Sequence, residues 1–399
     1  MSRSTAKLRS LLRPHAGWYV LLAAAGLTVM GIAAIATVDV PHAQDQARWW
    51  AISLLILAIC MLPKPRQIGL VSIPLAIAIT VLLLVIVLPV MPRSIVPVRN
   101  GTRAWINLRI MMFQPSEAAK IIFVLALAWY LRHRDSYRTL RGLLAPFAIM
   151  FLPMALVMLE PDLGTAVLFL PVLCAMLVAA GAKLRHLGAI VALTVLAVVL
   201  NIVAIYTLPD SMQLLRAHQR ARIKATISQA KGETRYLDDV GFQQDKSLTL
   251  AGAGGLRGVG GERAATLIHF NRLPEDHNDM IYTVIANRWG WVGGATVLGL
   301  FGLMIGSMLV VAARTKSPFS RLAVVGFAAL LFTQMTINVG MAIGLLPIIG
   351  ITLPLVSYGG SSLAATYALV GLVMNFAVEK PPIISRPSFE YEHVERIFQ

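Results

Sequence analysis

The sequence predicts an all-α polytopic membrane protein. About ten transmembrane helices form one integral domain over 1–399, with a long outside loop between spans seven and eight. Three observations lead there. Apolar residues fill 57% of the 399 positions and charged residues 14%, with mean hydropathy +0.72; soluble domains run near 45–50% and about 25%. The apolar residues gather into stretches close to the ~20 residues needed to cross the hydrocarbon core. Lys and Arg concentrate in alternate connections, the pattern that sets orientation in a bilayer. The formal net charge of +16 therefore reads as basic loops on the cytoplasmic side, and no nucleic-acid partner is expected. Cys60 and Cys174 lie inside apolar runs and offer neither a disulfide framework nor a metal site.

In chain order, a basic leader (1–16) with Arg3, Lys7, Arg9 and Arg13 precedes the first run, 17–38. That run is longer than a signal-peptide h-region and has no small-residue cleavage site after it, so it is read as a retained span. The further spans are expected at 47–63, 68–91, 116–131, 142–160, 163–182, 185–207, 280–312, 320–345 and 356–378. The leader, the tail (379–399) and the loops carrying Lys64, Arg132, Lys183 and Lys316 hold 18 of the 35 basic residues. This side is assigned to the cytoplasm, both termini included, and an even number of spans agrees. The opposite side has three short connections without Lys or Arg, 39–46, 160–162 and 346–355. Two outside segments break that pattern. One, 92–115, carries Arg93, Arg99, Arg103 and Arg109. The other, 208–279, is too long for a simple link. Within it LLRAHQRARIKATI reads as an amphipathic helix on the membrane surface. AGAGGLRGVGG (251–261) reads as a flexible turn region, without the strand–glycine–helix context of a nucleotide loop.

Four constellations fall on the outer side. In GTRAWINLRIMMFQPSEAAK (101–120), Pro115 suits a first helical turn, Glu117 the positive helix start, and Lys120 the same face three residues on. Glu117–Lys120 is either an ion pair locking two helices or one wall of a polar cavity; Trp105 is either an interfacial anchor or part of that wall. In LEPDLGTA (159–166), Asp162 is a helix cap, while Glu160 and Asp162 together are two outward acids able to orient a cation or a basic loop. In LPEDHNDM (273–280), one capping residue suffices for a helix, yet Glu275, Asp276 and Asp279 surround His277 and Asn278. In GLLPIIGITLPLVSYGGSSL (344–363), prolines and Gly359–Gly360 break an apolar run where backbone must be satisfied by protein or by a water-filled cavity. This segment is a hinge or a substrate-lining re-entrant loop, with hydroxyls from Ser357, Tyr358, Ser361 and Ser362.

QPSEAAK, EPDLGTA, LPEDHNDMIYTVI and LPLVSYGGSS, in this order and at these separations, resemble the SEDS family (shape, elongation, division and sporulation) of RodA/FtsW type, over roughly residues 100–378. HQRARI and GFQQDKSLTLAGAGGLRGVG belong to the same resemblance, and NVGMAIGLLPIIGI leans toward the RodA branch. The resemblance implies a peptidoglycan glycosyltransferase. Such an enzyme polymerises lipid II on the outer face of the bacterial cytoplasmic membrane, for cell shape or division, beside a class B penicillin-binding transpeptidase and among membrane lipid. It implies Asp279 as the essential carboxylate, a general base for the attacking sugar hydroxyl. Cations stabilise the departing pyrophosphate, with candidates Arg103, Arg109, Lys120, Arg220 and Arg222. Trp105, Glu117, His277, Ser357 and Tyr358 are expected to bind substrate, and Glu160, Asp162, Gly359 and Gly360 to shape the cavity. No metal ligand set and no organic cofactor is expected. The sequence departs from the family pattern at Ala104, where an Arg usually precedes the Trp, at Arg109, at Asn278, and at Asn287–Arg288, where acids are usual; Arg288 is expected to pair with another acid. Two other classes fit the composition: a flippase for the lipid-linked precursor, and a non-catalytic scaffold for a transpeptidase.

Overall fold

The computed structural model describes residues 15–88, 91–92, 94–97, 102–109, 112–134, 136–209, 212–213, 217–230 and 241–379. Most of the leader and almost all of the tail lie outside them, as do Arg93 and Arg99. Among the described residues the chain is helical apart from one two-stranded hairpin, β1 (Ile106–Asn107) and β2 (Met112–Phe113), paired antiparallel.

Helices α1 (Ala16–Val38), α2 (Val40–Met61) and α3 (Pro65–Val87) precede the hairpin. After it come α4 (Pro115–Leu131), α5 (Leu144–Leu159), α6 (Leu163–Ala180) and α7 (Leu184–Thr207). The long loop contributes α8 (Ala217–Ala230), α9 (Phe242–Ala253) and α10 (Gly261–Asn271), and the chain closes with α11 (Ile281–Arg314), α12 (Pro318–Ala342) and α13 (Gly360–Ala377). Eight of these helices (one extended back to Arg141 through the preceding 3-10 turn) are long and apolar enough to cross a membrane. The other two expected spans are helical as well: α4 has 17 residues, and α2 carries Asp45 and Arg48 in its first half.

Local signals set the boundaries. Asp39 caps α2 by accepting from the His42 N–H at 3.0 Å, with a proline in the first turn. The expected 39–46 connection is therefore mostly the first turns of α2, which carry His42 and Gln46 inward. Asp162 caps α6 through the Thr165 N–H, as its acid-before-helix position predicts. Gly181, at φ 93, ends α6 in the left-handed region. The core runs where α11 packs on α1 and α12, α13 on α2, and α12 on α4 and α6. Its largest fully buried side chain, Tyr367, is satisfied by Thr28 Oγ1 and by the Trp50 indole N–H at 2.6 Å, tying α13 to α1 and α2.

Two findings correct the sequence reading. The segment 251–261 is not a free turn. It inserts into a break in α11 at Gly290 (φ 67, ψ −159). Val259 and Gly260 donate to the carbonyls of Asn287 and Arg288, while Trp291 and Val292 donate to those of Gly255 and Leu256. The broken helix recovers its lost hydrogen bonds from this strap, the condition for non-helical backbone at such depth. Among the described residues Arg288 pairs with no acid. Its Nη1 donates to the Ala33 carbonyl and Thr37 Oγ1 of α1, and its guanidinium lies over Trp289.

Candidate active site

Two irregular segments meet at the end of the bundle where α11 begins. Residues 273–280 turn sharply, with Glu275 at φ 51 and its carbonyl accepting from both the Asn278 and Met280 N–H groups. Residues 344–359 replace helix with turns between α12 and α13. The segments are clasped to each other: the Tyr358 N–H donates to the His277 carbonyl at 2.9 Å, and Ser357 Oγ donates to the Asn278 carbonyl at 2.7 Å while accepting from the Leu353 N–H. Two buried amides lock the clasp. Gln46 of α2 donates to the Ser357 carbonyl and accepts from the Gly359 N–H. Asn338 of α12 donates to the backbone carbonyls of Asp279 and Ile351.

The clasp encloses one side of a cavity of about 980 Å³ whose walls include Asp279, Trp105, Arg109, Glu117, Arg222 and His277. Tyr358, Gly359, Gly360 and Ser361 line it as well. Asp279 is half-buried, and its backbone rather than its carboxylate is held by Asn338. Burial raises the Asp279 carboxyl to about 7; Glu275 and Asp162 push it up further, and Arg222 and His277 pull it down. Desolvation disfavours the charged form, so this carboxylate titrates near neutrality, where a general base works best. Arg222 is fixed beside it, its Nη1 donating to the Ile348 carbonyl at 3.0 Å. His277 hydrogen-bonds Asp276 at 2.8 Å, which raises the imidazole above its ordinary range. Its ring lies 4.9 Å from that of His42, which is itself held by Asp39.

Not every expected residue reaches the cavity. Arg103 Nη2 donates to the Met91 carbonyl at 2.7 Å and braces the segment before the hairpin. Lys120, buried, bonds Glu117 at 2.8 Å on its own helix and Gln334 of α12; the hydrogen bond to Gln334 ties α4 to α12, and of the pair only Glu117 faces the cavity. Arg220 donates to Gln213, and Ser357 is consumed by the clasp. Asp162 caps α6 and receives the Gln114 amide, with burial pushing its carboxyl up. Glu160, 2% exposed and with neither oxygen hydrogen-bonded among the described residues, is pushed up to about 8 by burial and by Asp162; it packs inward and is not an outward-facing acid. The sequence reading missed His42, Trp49, Gln114 and Gln243, all on the cavity wall. His42, Gln46 and Trp49 recur at i, i+4 and i+7, one helical face, and that spacing was the available signal.

Comparison with known proteins agrees with this architecture. Residues 16–381 match the family model FtsW/RodA/SpoVE, described as cell cycle protein. A probable peptidoglycan glycosyltransferase FtsW of Thiomicrospira cyclica is 35% identical over 289 residues, 70% of this chain and 69% of that protein. The peptidoglycan glycosyltransferase MrdB of Escherichia coli K12 is 33% identical over 70% of this chain and 71% of its own length. A solved peptidoglycan synthase complex, described as coordinating polymerization and crosslinking, superposes with TM-score 0.74 at 27% identity, covering 90% of this chain and 97% of that one. RodA of Thermus thermophilus, a rod shape determining protein, superposes with TM-score 0.64 at 26% identity over 90% and 96% of the two chains. The protein is a bacterial membrane protein, and it belongs to the FtsW/RodA/SpoVE family of cell cycle proteins.

Proposed function

We propose that this chain is a peptidoglycan glycosyltransferase that polymerises lipid II at the outer face of the cytoplasmic membrane, with both termini in the cytoplasm and a class B penicillin-binding transpeptidase as its partner. One observation carries the reading: Asp279, titrating at about 7, stands on the wall of a large polar cavity at the end of an apolar bundle, next to Arg222. A sugar hydroxyl that attacks an anomeric carbon must lose its proton, and the Asp279 carboxylate accepts it. The bond from that carbon to the pyrophosphate oxygen breaks, and Arg222 and Arg109 supply positive charge to the leaving group without needing to donate a proton. A single displacement inverts the anomeric centre. His277, Trp105 and Tyr358 line the sugar-binding wall in this reading, while Arg103, Lys120, Arg220 and Ser357 hold the site's shape.

The test is polymerisation of purified lipid II by the full chain, alone and with a candidate transpeptidase, against Asp279→Asn. The proposal expects glycan chains from the wild type and none from the variant, with partner binding retained. A variant that still polymerises, or a wild type that only moves lipid II across vesicles, refutes it.

A further inference from the structure

At the end of the bundle opposite Asp279 lies a second cavity, about 610 Å³, apolar over most of its wall but lined by cations, that plays no part in the chemistry above. It is built where α3 and α12 begin and α4 ends. Arg66 follows Pro65 in the first turn of α3; Arg132 caps the end of α4; Lys316 precedes the Ser317 cap of α12. All three cations line the cavity, and among the described residues Glu379 is the one carboxylate on its wall. Among the described residues none of the three cations forms an ion pair. Arg66 and Arg132 are close enough to repel, since burial and then the Arg66 charge hold the Arg132 guanidinium below its ordinary range. Arg132 stacks on Trp129, and its Nη1 is buried without a hydrogen-bond acceptor among the described residues. A buried donor left unmatched is expensive, and like charges converging in one hollow are more so.

Two helix N-termini add to this field. Each contributes partial positive charge and unpaired N–H groups, which favour a phosphate or carboxylate. The start of α12 already holds one anion, because Ser320 Oγ donates to Glu379 at 2.6 Å. The start of α3, with Arg66 and Arg132, has no such partner among the described residues.

We infer that this cavity binds the negatively charged phosphodiester headgroup of an anionic phospholipid. The phosphate would sit between Arg66, Arg132 and Lys316, and a small turn of the Arg132 guanidinium would give Nη1 its acceptor. A lipid rather than a soluble phosphate compound is indicated by position. Arg66 and Lys316 lie within a turn of the ends of strongly apolar membrane-crossing helices, the depth of lipid headgroups, with Arg132 at the end of α4 beside them, and Trp129 and Phe319, in edge contact at 5.5 Å, give the cavity an apolar floor. Basic pockets between membrane helices at the inner leaflet are suited to such headgroups.

The test uses the full chain in mixed micelles of equal phosphatidylglycerol and phosphatidylcholine, with retained lipid counted by native mass spectrometry. The expected result is one phosphatidylglycerol retained at least about tenfold over phosphatidylcholine. Arg66→Gln combined with Arg132→Gln should remove that preference. Lys316→Gln, a single exposed-loop change that leaves the stacked Arg132 intact, should weaken it about threefold, and Arg314→Gln, in a different crevice at the same end, should leave it unchanged. Equal retention of the two lipids overturns the inference. So does a preference that survives both the double variant and Lys316→Gln. Displacement of the lipid by millimolar glycerol phosphate also overturns it, by assigning the site to a soluble anion.

Discussion

At the scale of single residues, the site depends on a carboxyl held where it is poorly solvated. Asp279 ionises at about 7 in the fold against 3.8 for a free side chain. The folded state therefore holds a proton that the unfolded chain releases between those values. Stability is full below about pH 4 and is lost as pH rises through 7. Asp279→Asn removes that loss, so thermal unfolding in detergent should show the variant more stable than wild type at pH 8, by roughly 1–4 °C, and no more stable at pH 4. Gln46 makes the opposite case. Fully buried, it satisfies both the Ser357 carbonyl and the Gly359 N–H. Gln46→Ala strands two backbone groups and should cost about 2 kcal/mol, read as a lower unfolding temperature with reduced polymerisation, although the residue touches no reacting atom. Asp279, Glu117 and His277 were legible in the sequence because an acid or imidazole at the edge of an apolar span has few reasons to be there. Gln46 was not, since a lone glutamine in a helix carries no signal until its distant partners are known.

At the scale of elements, hydropathy located most of the helices because twenty apolar residues are a long signal. It failed where contacts between remote segments decide the structure. The start of α2 reads as polar loop, yet Asp39 capping and the first-turn proline extend the helix into the site. The glycine-rich strap reads as flexible, yet it is held by its own turns and by hydrogen bonds to α11, broken at Gly290. Gly258 adopts φ 80, and a Cβ there would meet the Arg288 carbonyl oxygen at 2.1 Å. Gly258→Ala should therefore push the strap out of the break. The expected result is a loss of more than about 2 kcal/mol, seen as a drop in unfolding temperature, together with weakened polymerisation, because the first half of α11 carries Asp279 at its start. The same substitution at Gly252, where a Cβ meets nothing, should leave both nearly unchanged.

At the scale of the whole molecule, the bundle separates two chemistries. One end holds acids, imidazoles and a few cations around a broad cavity. The other gathers cations at helix starts. The fold class, and the gathering of the acids at one end of the bundle, were legible from composition and from the placement of basic residues. Which cations reach the cavity was not: Arg109 and Arg222 do, whereas Arg103 and Arg220 turn to nearby carbonyl and amide oxygens, a choice settled by packing that no spacing encodes. The account rests on Asp279 acting as the base that accepts the sugar proton, and the pH dependence of lipid II polymerisation tests this most directly. The wild-type rate should rise through about pH 7 as the carboxyl ionises and level off above it, and Asp279→Asn should be roughly 10²–10⁴-fold slower, with that limb gone. A variant that keeps the wild-type rate, or the same rise through neutrality, would contradict it.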